Sequence, residues 1–184
     1  MNKLAGQLPR LVTGTQEELV PGPQLAESLR HSGYNYWTAL DELADNSIDA
    51  ECDVIKVGLY SQGALIDAPT SNRSVDRIVV YDNGTGMNYP ELRKSHQLGS
   101  KRPYNKKDIG KFGLGGIVGS ISIGRKVTTI AKKNGESIIG RMTNLNDITN
   151  AGKVVSTHYT ENEIPQVYRD LFDSKRVRNS LTPI

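Results

Sequence analysis

Apolar residues recur along this chain first with a helical period and later with a strand period. Trp37, Leu40, Ala44 and Ile48, with Leu43 beside them, repeat at the spacing of one helix face and predict a helix from about Tyr34 to Ala50. A shorter helix is predicted before it, Gln24 to His31, stopped near Gly33. Val54, Val57 and Leu59 then mark a strand, and Arg77 to Tyr81, with its run Ile78, Val79 and Val80, marks another. The segment between them, Ser61 to Ser74, is polar and reads as a loop. Pro90 to Gln97 is predicted as a short helix, Ser100 to Gly110 as a loop and Gly116 to Ile123 as a helix of small residues. Three strands follow, Lys126 to Lys132, Ser137 to Thr143 and Lys153 to Tyr159, the first two joined at the turn signal Asn134-Gly135. Glu163 to Asp173 closes as a helix. Helices early and strands late predict an α+β fold with helices on one face of a mixed sheet.

Length and charge narrow this picture. At 184 residues the chain is expected to hold one domain with a short arm, since domains run to about 100 to 200 residues. The arm is residues 1–24, where Gly6, Pro9, Gly14, Pro21, Gly22 and Pro23 interrupt any apolar period. A net charge of +3 is too small to make nucleic acid the default partner. Cys52 stands alone, which excludes an internal disulfide framework and fits a reducing compartment. No apolar run approaches the roughly 18 residues of a membrane span. Arg10, Glu17 and Glu18 fall where a signal peptide needs its apolar core. The expected location is cytoplasmic, or nuclear in a eukaryote, with no membrane partner.

Three segments carry candidate chemistry. In Glu42 to Ala50, Glu42, Asn46 and Asp49 stand at i, i+4 and i+7 and share a helix face. One amide oxygen suffices as a protein ligand for nucleotide-bound Mg²⁺, and a carboxylate one turn away can accept the proton of an attacking water. Without further context, the same stripe also fits a solvated face of an amphipathic helix. In Asp82-Asn83-Gly84-Thr85-Gly86-Met87, directly after the apolar strand, Gly84 and Gly86 permit close backbone approach to a flat ligand. Asp82 offers an acceptor to an exocyclic amine, a group adenine has and guanine lacks at that edge.

The third segment, Gly110-Lys111-Phe112-Gly113-Leu114-Gly115-Gly116, brings glycines to the start of a helix, where free backbone amides favour anions. No Gly-Lys-Ser or Gly-Lys-Thr follows as a Walker loop requires, and no strand precedes it as in a dinucleotide-binding βαβ unit. Residues 93–111 carry seven Lys and Arg against the single acid Asp108, a local +6 beside the overall +3. A polyphosphate accounts for basic residues beside a glycine nest; nucleic acid is the alternative.

In this order and spacing the three motifs resemble the GHKL ATPase superfamily, which includes heat-shock chaperone ATPase domains, gyrase B subunits, MutL-type and MORC proteins and histidine kinases. The resemblance covers about residues 25–160. It implies a two-layer sandwich, a mixed and mostly antiparallel sheet with helices on one face, binding ATP and Mg²⁺ between helices and a lid. By that resemblance Glu42 is the general base, Asn46 the Mg²⁺ ligand and Asp49 a polar support. Asp82 reads adenine, and Gly84, Gly86 and Met87 line the base pocket. Ser100 and Lys101, after Gly99, begin the lid, and Gly110, Lys111, Phe112, Gly113, Leu114, Gly115 and Gly116 form its phosphate-contacting end. Where the chaperones carry a Gly-Thr pair this chain has Ala151-Gly152-Lys153, so the water-mediated base contact that the resemblance implies is either lost or shifted to Thr149.

The expected activity is Mg²⁺-dependent ATP hydrolysis that closes the lid and drives conformational change or an ATP-dependent homodimer, with the arm as a strap. Residues 161–184, a C-terminal helix and tail, are too short for the domain that carries a phosphate-sensing lysine in gyrase-like and MutL-like enzymes; the expectation is either a link to such a following domain or a lysine supplied from elsewhere. The alternatives are a nucleotide-binding interaction module with little turnover alone, and the ATPase part of a DNA topology, repair or chromatin machine with a DNA or protein client.

Overall fold

The computed structural model describes residues 22–31, 33–66, 74–98 and 115–172. The arm as far as Pro21, Ser32, most of the expected lid including Gly99, Ser100, Lys101, Gly110, Lys111, Phe112, Gly113 and Leu114, and the tail after Phe172 lie outside the described residues.

The architecture is α+β, as the pattern predicts. Helix α1 (Pro23–Leu29) leads to α2 (Tyr36–Asp49), whose N-cap Asn35 accepts a hydrogen bond from the Thr38 amide. Strands β1 (Ile55–Ser61), β2 (Ala64–Leu65) and β3 (Arg77–Asp82) form one sheet in the order β2-β1-β3. Helix α3 (Tyr89–Ser95) begins with a capping box in which Asn88 and Glu91 satisfy each other's amides. After α4 (Gly115–Ile123), strands β4 (Lys126–Ala131), β5 (Ile139–Asn144) and β6 (Thr157–Tyr159) form a second sheet in that order. Helix α5 (Leu145–Ala151) lies between β5 and β6, and α6 (Gln166–Arg169) follows them.

Every described strand pairing is antiparallel, in two three-stranded sheets where a single mixed sheet was expected. Four local expectations are corrected. The loop after Ser61 contains β2, because Gln62 and Gly63 take φ of 52° and 81° and close the two-residue turn that suits a twisted hairpin. Helix α5 fills the interval left unassigned between the last two expected strands, capped by Asn144 and stopped by left-handed Gly152. The last strand is shorter than expected, Thr157–Tyr159, with residues 153–156 forming a bend and an irregular segment before it. The expected C-terminal helix is broken at Pro165 into a 3-10 turn (Glu161–Glu163), α6 and a second 3-10 turn (Asp170–Phe172).

The core lies among helices: Ala26 of α1, Ile117, Val118 and Ile121 of α4, and Leu145 and Ile148 of α5. Tyr34, Leu29 and Val127 pack against it. Helix α3 covers the second sheet through Leu92 and His96. The His96 ring is bracketed by Thr143 Oγ1 at 2.8 Å and Thr129 Oγ1 at 2.9 Å, from two neighbouring strands. Beside it, the Arg141 guanidinium lies 5.4 Å from the Tyr89 ring centre and donates to Ser156 Oγ. Of the other two histidines, His158 bonds the Gly140 carbonyl and His31 is exposed. None of the three stands in a phospho-acceptor pattern.

Candidate nucleotide site

Helix α2 is the spine on which the three motifs meet. Glu42, Asn46 and Asp49 are all half-buried on it, as their spacing requires. Asn46 Nδ2 donates to the Glu42 carbonyl at 2.8 Å. That bond fixes which end of the amide is nitrogen and leaves Oδ1 as the acceptor, without a hydrogen-bond partner among the described residues. An aspartate could not make this bond, so the tether selects an amide. Glu42 Oε1 lies 3.4 Å from the Tyr34 hydroxyl.

The Asp82 turn is anchored to the C-terminal end of α2. Ser47 Oγ donates to Asp82 Oδ2 at 3.3 Å, and the Gly84 amide donates to Asp82 Oδ1 at 2.9 Å. The Thr85 amide donates to the Ala50 carbonyl, and Asn83 Oδ1 accepts the amides of Asp53 and Val54. Gly84 is required where it stands: a Cβ there would lie 2.7 Å from the Ala50 carbonyl oxygen. Gly86, at φ 68°, faces the Lys132 carbonyl so closely that no side chain fits. Met87 follows, half-buried. The carboxylate of Asp82 also raises the pKa of Tyr81, behind the larger effect of the phenol's own burial.

Helix α4 brings the end of the glycine segment to the same place. A Cβ at Gly116 would fall 2.8 Å from Asn46 Nδ2, and one at Gly119 3.4 Å from the Ala39 backbone. Gly116 lets the helices touch along α2's inner side, whereas at Gly119 a Cβ would make ordinary contact. Gly115 opens α4, so the part of the motif within the described residues sits at a helix N-terminus, as expected. Thr149, by contrast, lies on α5 and spends its hydroxyl on the Leu145 carbonyl.

Sequence reasoning missed Ser47, Asn83 and Tyr34. Asn83 carries a signal in the Asp-Asn-Gly turn, since Asn side chains commonly bond nearby backbone. Ser47 and Tyr34 take partners far along or outside their own helix turn, which no spacing rule reveals.

The residues fit a magnesium nucleotide. Among the described residues no three His, Cys, Asp or Glu gather into a metal cage, so a cation here would rely on phosphate and water oxygens with Asn46 Oδ1.

An α+β domain whose acid-amide helix touches both an aspartate-glycine turn and a glycine-opened helix is the architecture of an ATP-binding domain. The family model for histidine kinase-, DNA gyrase B- and HSP90-like ATPases matches residues 34–176, and the chain belongs to that family. It is similar to the structural maintenance of chromosomes flexible hinge domain-containing protein GMI1 of Arabidopsis thaliana, 32% identical over 126 residues. That match covers 59% of this chain and 7% of GMI1, so the chain spans a small part of that relative's length. Among the described residues no helix is long and apolar enough to cross a membrane.

Proposed function

We propose that this chain binds ATP with Mg²⁺ and hydrolyses it with Glu42 as general base. The observation that carries this reading is the convergence on α2, with Asp82 joined to Ser47 and Gly116 seated against Asn46. Asp82 accepts the exocyclic amine of adenine, and Gly84, Gly86 and Met87 line the base pocket. Asn46 Oδ1 holds the cation, Asp49 supports that face, and Glu42 takes the proton of the attacking water. Bound with the nucleotide, Mg²⁺ neutralises charge on the phosphate oxygens. Ser100, Lys101 and the segment Gly110 to Gly116 contact the phosphates, backbone amides at the start of α4 among them. The test is ATP turnover and equilibrium nucleotide binding in three variants. Glu42→Gln is expected to bind ATP and lose turnover by roughly 100-fold or more. Asn46→Ala is expected to lose the Mg²⁺-dependent part of binding, and Asp82→Asn to lose preference for ATP over GTP. Unchanged turnover in Glu42→Gln with binding abolished in Asn46→Ala would favour the alternative, an interaction module that binds nucleotide without catalysis.

In this proposal lid closure couples to an ATP-dependent homodimer strapped by residues 1–24. Light scattering with a non-hydrolysable ATP analogue, on the full chain and on one lacking that arm, tests it; monomers throughout would remove it. The name of the similar Arabidopsis protein, which mentions maintenance of chromosomes, supports a setting among chromosome-associated machines; a DNA or a protein client is then part of the proposal. For a DNA client, binding to duplex DNA that falls steeply with salt is the expected signature, and its absence at low salt would reject that client.

A further inference from the structure

Tyr34 lies outside α2, just before its N-cap, yet its side chain comes back along the helix. The ring packs against the helical core and beside Gly119 of α4, where a Cβ would make ordinary contact with Tyr34 Cδ1 at 3.6 Å. Its hydroxyl points at Glu42 Oε1, 3.4 Å away. This is long for a hydrogen bond, as pairs around a general base commonly are before substrate binds. A free glutamate side chain explores many rotamers, and holding it in one costs conformational entropy. A donor carried on a rigid ring packed against the core reduces that cost by limiting where the carboxylate can settle. Burial chiefly, and next the Glu42 charge and the hydrogen bond to it, raise the Tyr34 pKa, so the phenol keeps its proton and remains a donor at neutral pH.

We infer that Tyr34 is the positioning residue for Glu42, holding the carboxylate from a ring packed on the helical core so that the base and helix α4 keep a fixed relation. The inference rests on the reading of Glu42 as the base. Tyr34 touches no substrate in this role; it acts through Glu42. The close approach of Gly116 to Asn46, and the packing of Tyr34 on the core that α4 helps to form, then relate both working residues of α2 to one neighbouring helix.

Steady-state ATP hydrolysis, nucleotide affinity and thermal stability of the full chain are compared for wild type, Tyr34→Phe, Glu42→Gln and the double variant. Tyr34→Phe keeps the ring and is expected to lower kcat about 10-fold, with KM, nucleotide affinity and Tm close to wild type. The double variant is expected to match Glu42→Gln alone, because a hydroxyl that acts only through the carboxylate has nothing left to act on. Wild-type kcat in Tyr34→Phe with Glu42→Gln inactive overturns the positioning role and leaves the base intact. Full kcat in Glu42→Gln, or no turnover in wild type, overturns the base and the positioning role with it. Parallel loss of Tm and affinity in Tyr34→Phe marks a packing role and also overturns the inference.

Discussion

In the sheet formed by β2, β1 and β3, Ile55, Val57, Leu59, Ile78 and Val80 share a face by their register, and Val57 and Leu59 remain 44% and 39% exposed. In the sheet of β4, β5 and β6, α3 lies across the strands, with Leu92 fully buried and His96 held between two threonines. The first sheet ends at Asp82 and delivers the proposed base-reading turn. The second carries no proposed ligand and is closed by a buried polar and apolar clasp. The contrast separates two kinds of work: the closed sheet supplies stability, and the open one presents a turn fixed by bonds to α2 and to the start of β1.

Paired truncations break or sharpen this contrast most strongly. Leu92→Ala is expected to cost about 3 kcal/mol, whereas Leu59→Ala on the open face costs under about 1 kcal/mol; urea unfolding of both measures the difference. Equal losses would erase the division. The next effect is a dependence on pH confined to the closed sheet. Burial first, and the Arg141 charge second, lower the pKa of His96 from its ordinary 6.5 to about 4, so the folded ring is neutral where an unfolded one takes a proton. Stability is therefore full above pH 6.5 and falls as the pH drops toward 4, by an amount on the order of 3 kcal/mol when complete. Urea titrations at several pH values should show this slope in wild type and a flatter one in His96→Gln. The smallest effect belongs to the other half. Glu51 ends α2 at φ 58°, with the amides of Glu51 and Cys52 bonded to the carbonyls of Ile48 and Ser47. This is a helix stop that glycine fills without strain, and Glu51→Gly is expected to stabilise the protein by about 0.5 kcal/mol in the same assay.

What the sequence made legible follows from how local each feature is. Helix α2 showed itself because its apolar and polar stripes both repeat at helical spacing, and the Asp82 turn because two glycines interrupt a strong strand. The β2 hairpin was hidden because Gln62, rather than the Asn or Asp that such turns favour, takes the left-handed position. Helix α5 is seven residues long with only Leu145 and Ile148 buried, too short for a period, although Asn144 and Gly152 are the cap and stop that announce it. The shape of the candidate site was readable as far as residues on α2 and its neighbouring turn. The bonds that assemble it, Ser47 to Asp82 and Tyr34 to Glu42, cross between segments and required the fold.

The meeting of Gly86 with the Lys132 carbonyl bears on how tolerance to substitution would be distributed across the site. In a library of variants sorted only for folding, position 86 would already be depleted of every other amino acid, because backbone, not ligand, excludes them. Asp82, whose bonds to Ser47 and to the Gly84 amide are made by its side-chain atoms alone, would be only weakly depleted in that library and strongly so once nucleotide binding is selected. Two neighbours in one turn would thus answer to different selections, one guarding the joint between the two sheets and the other guarding the ligand.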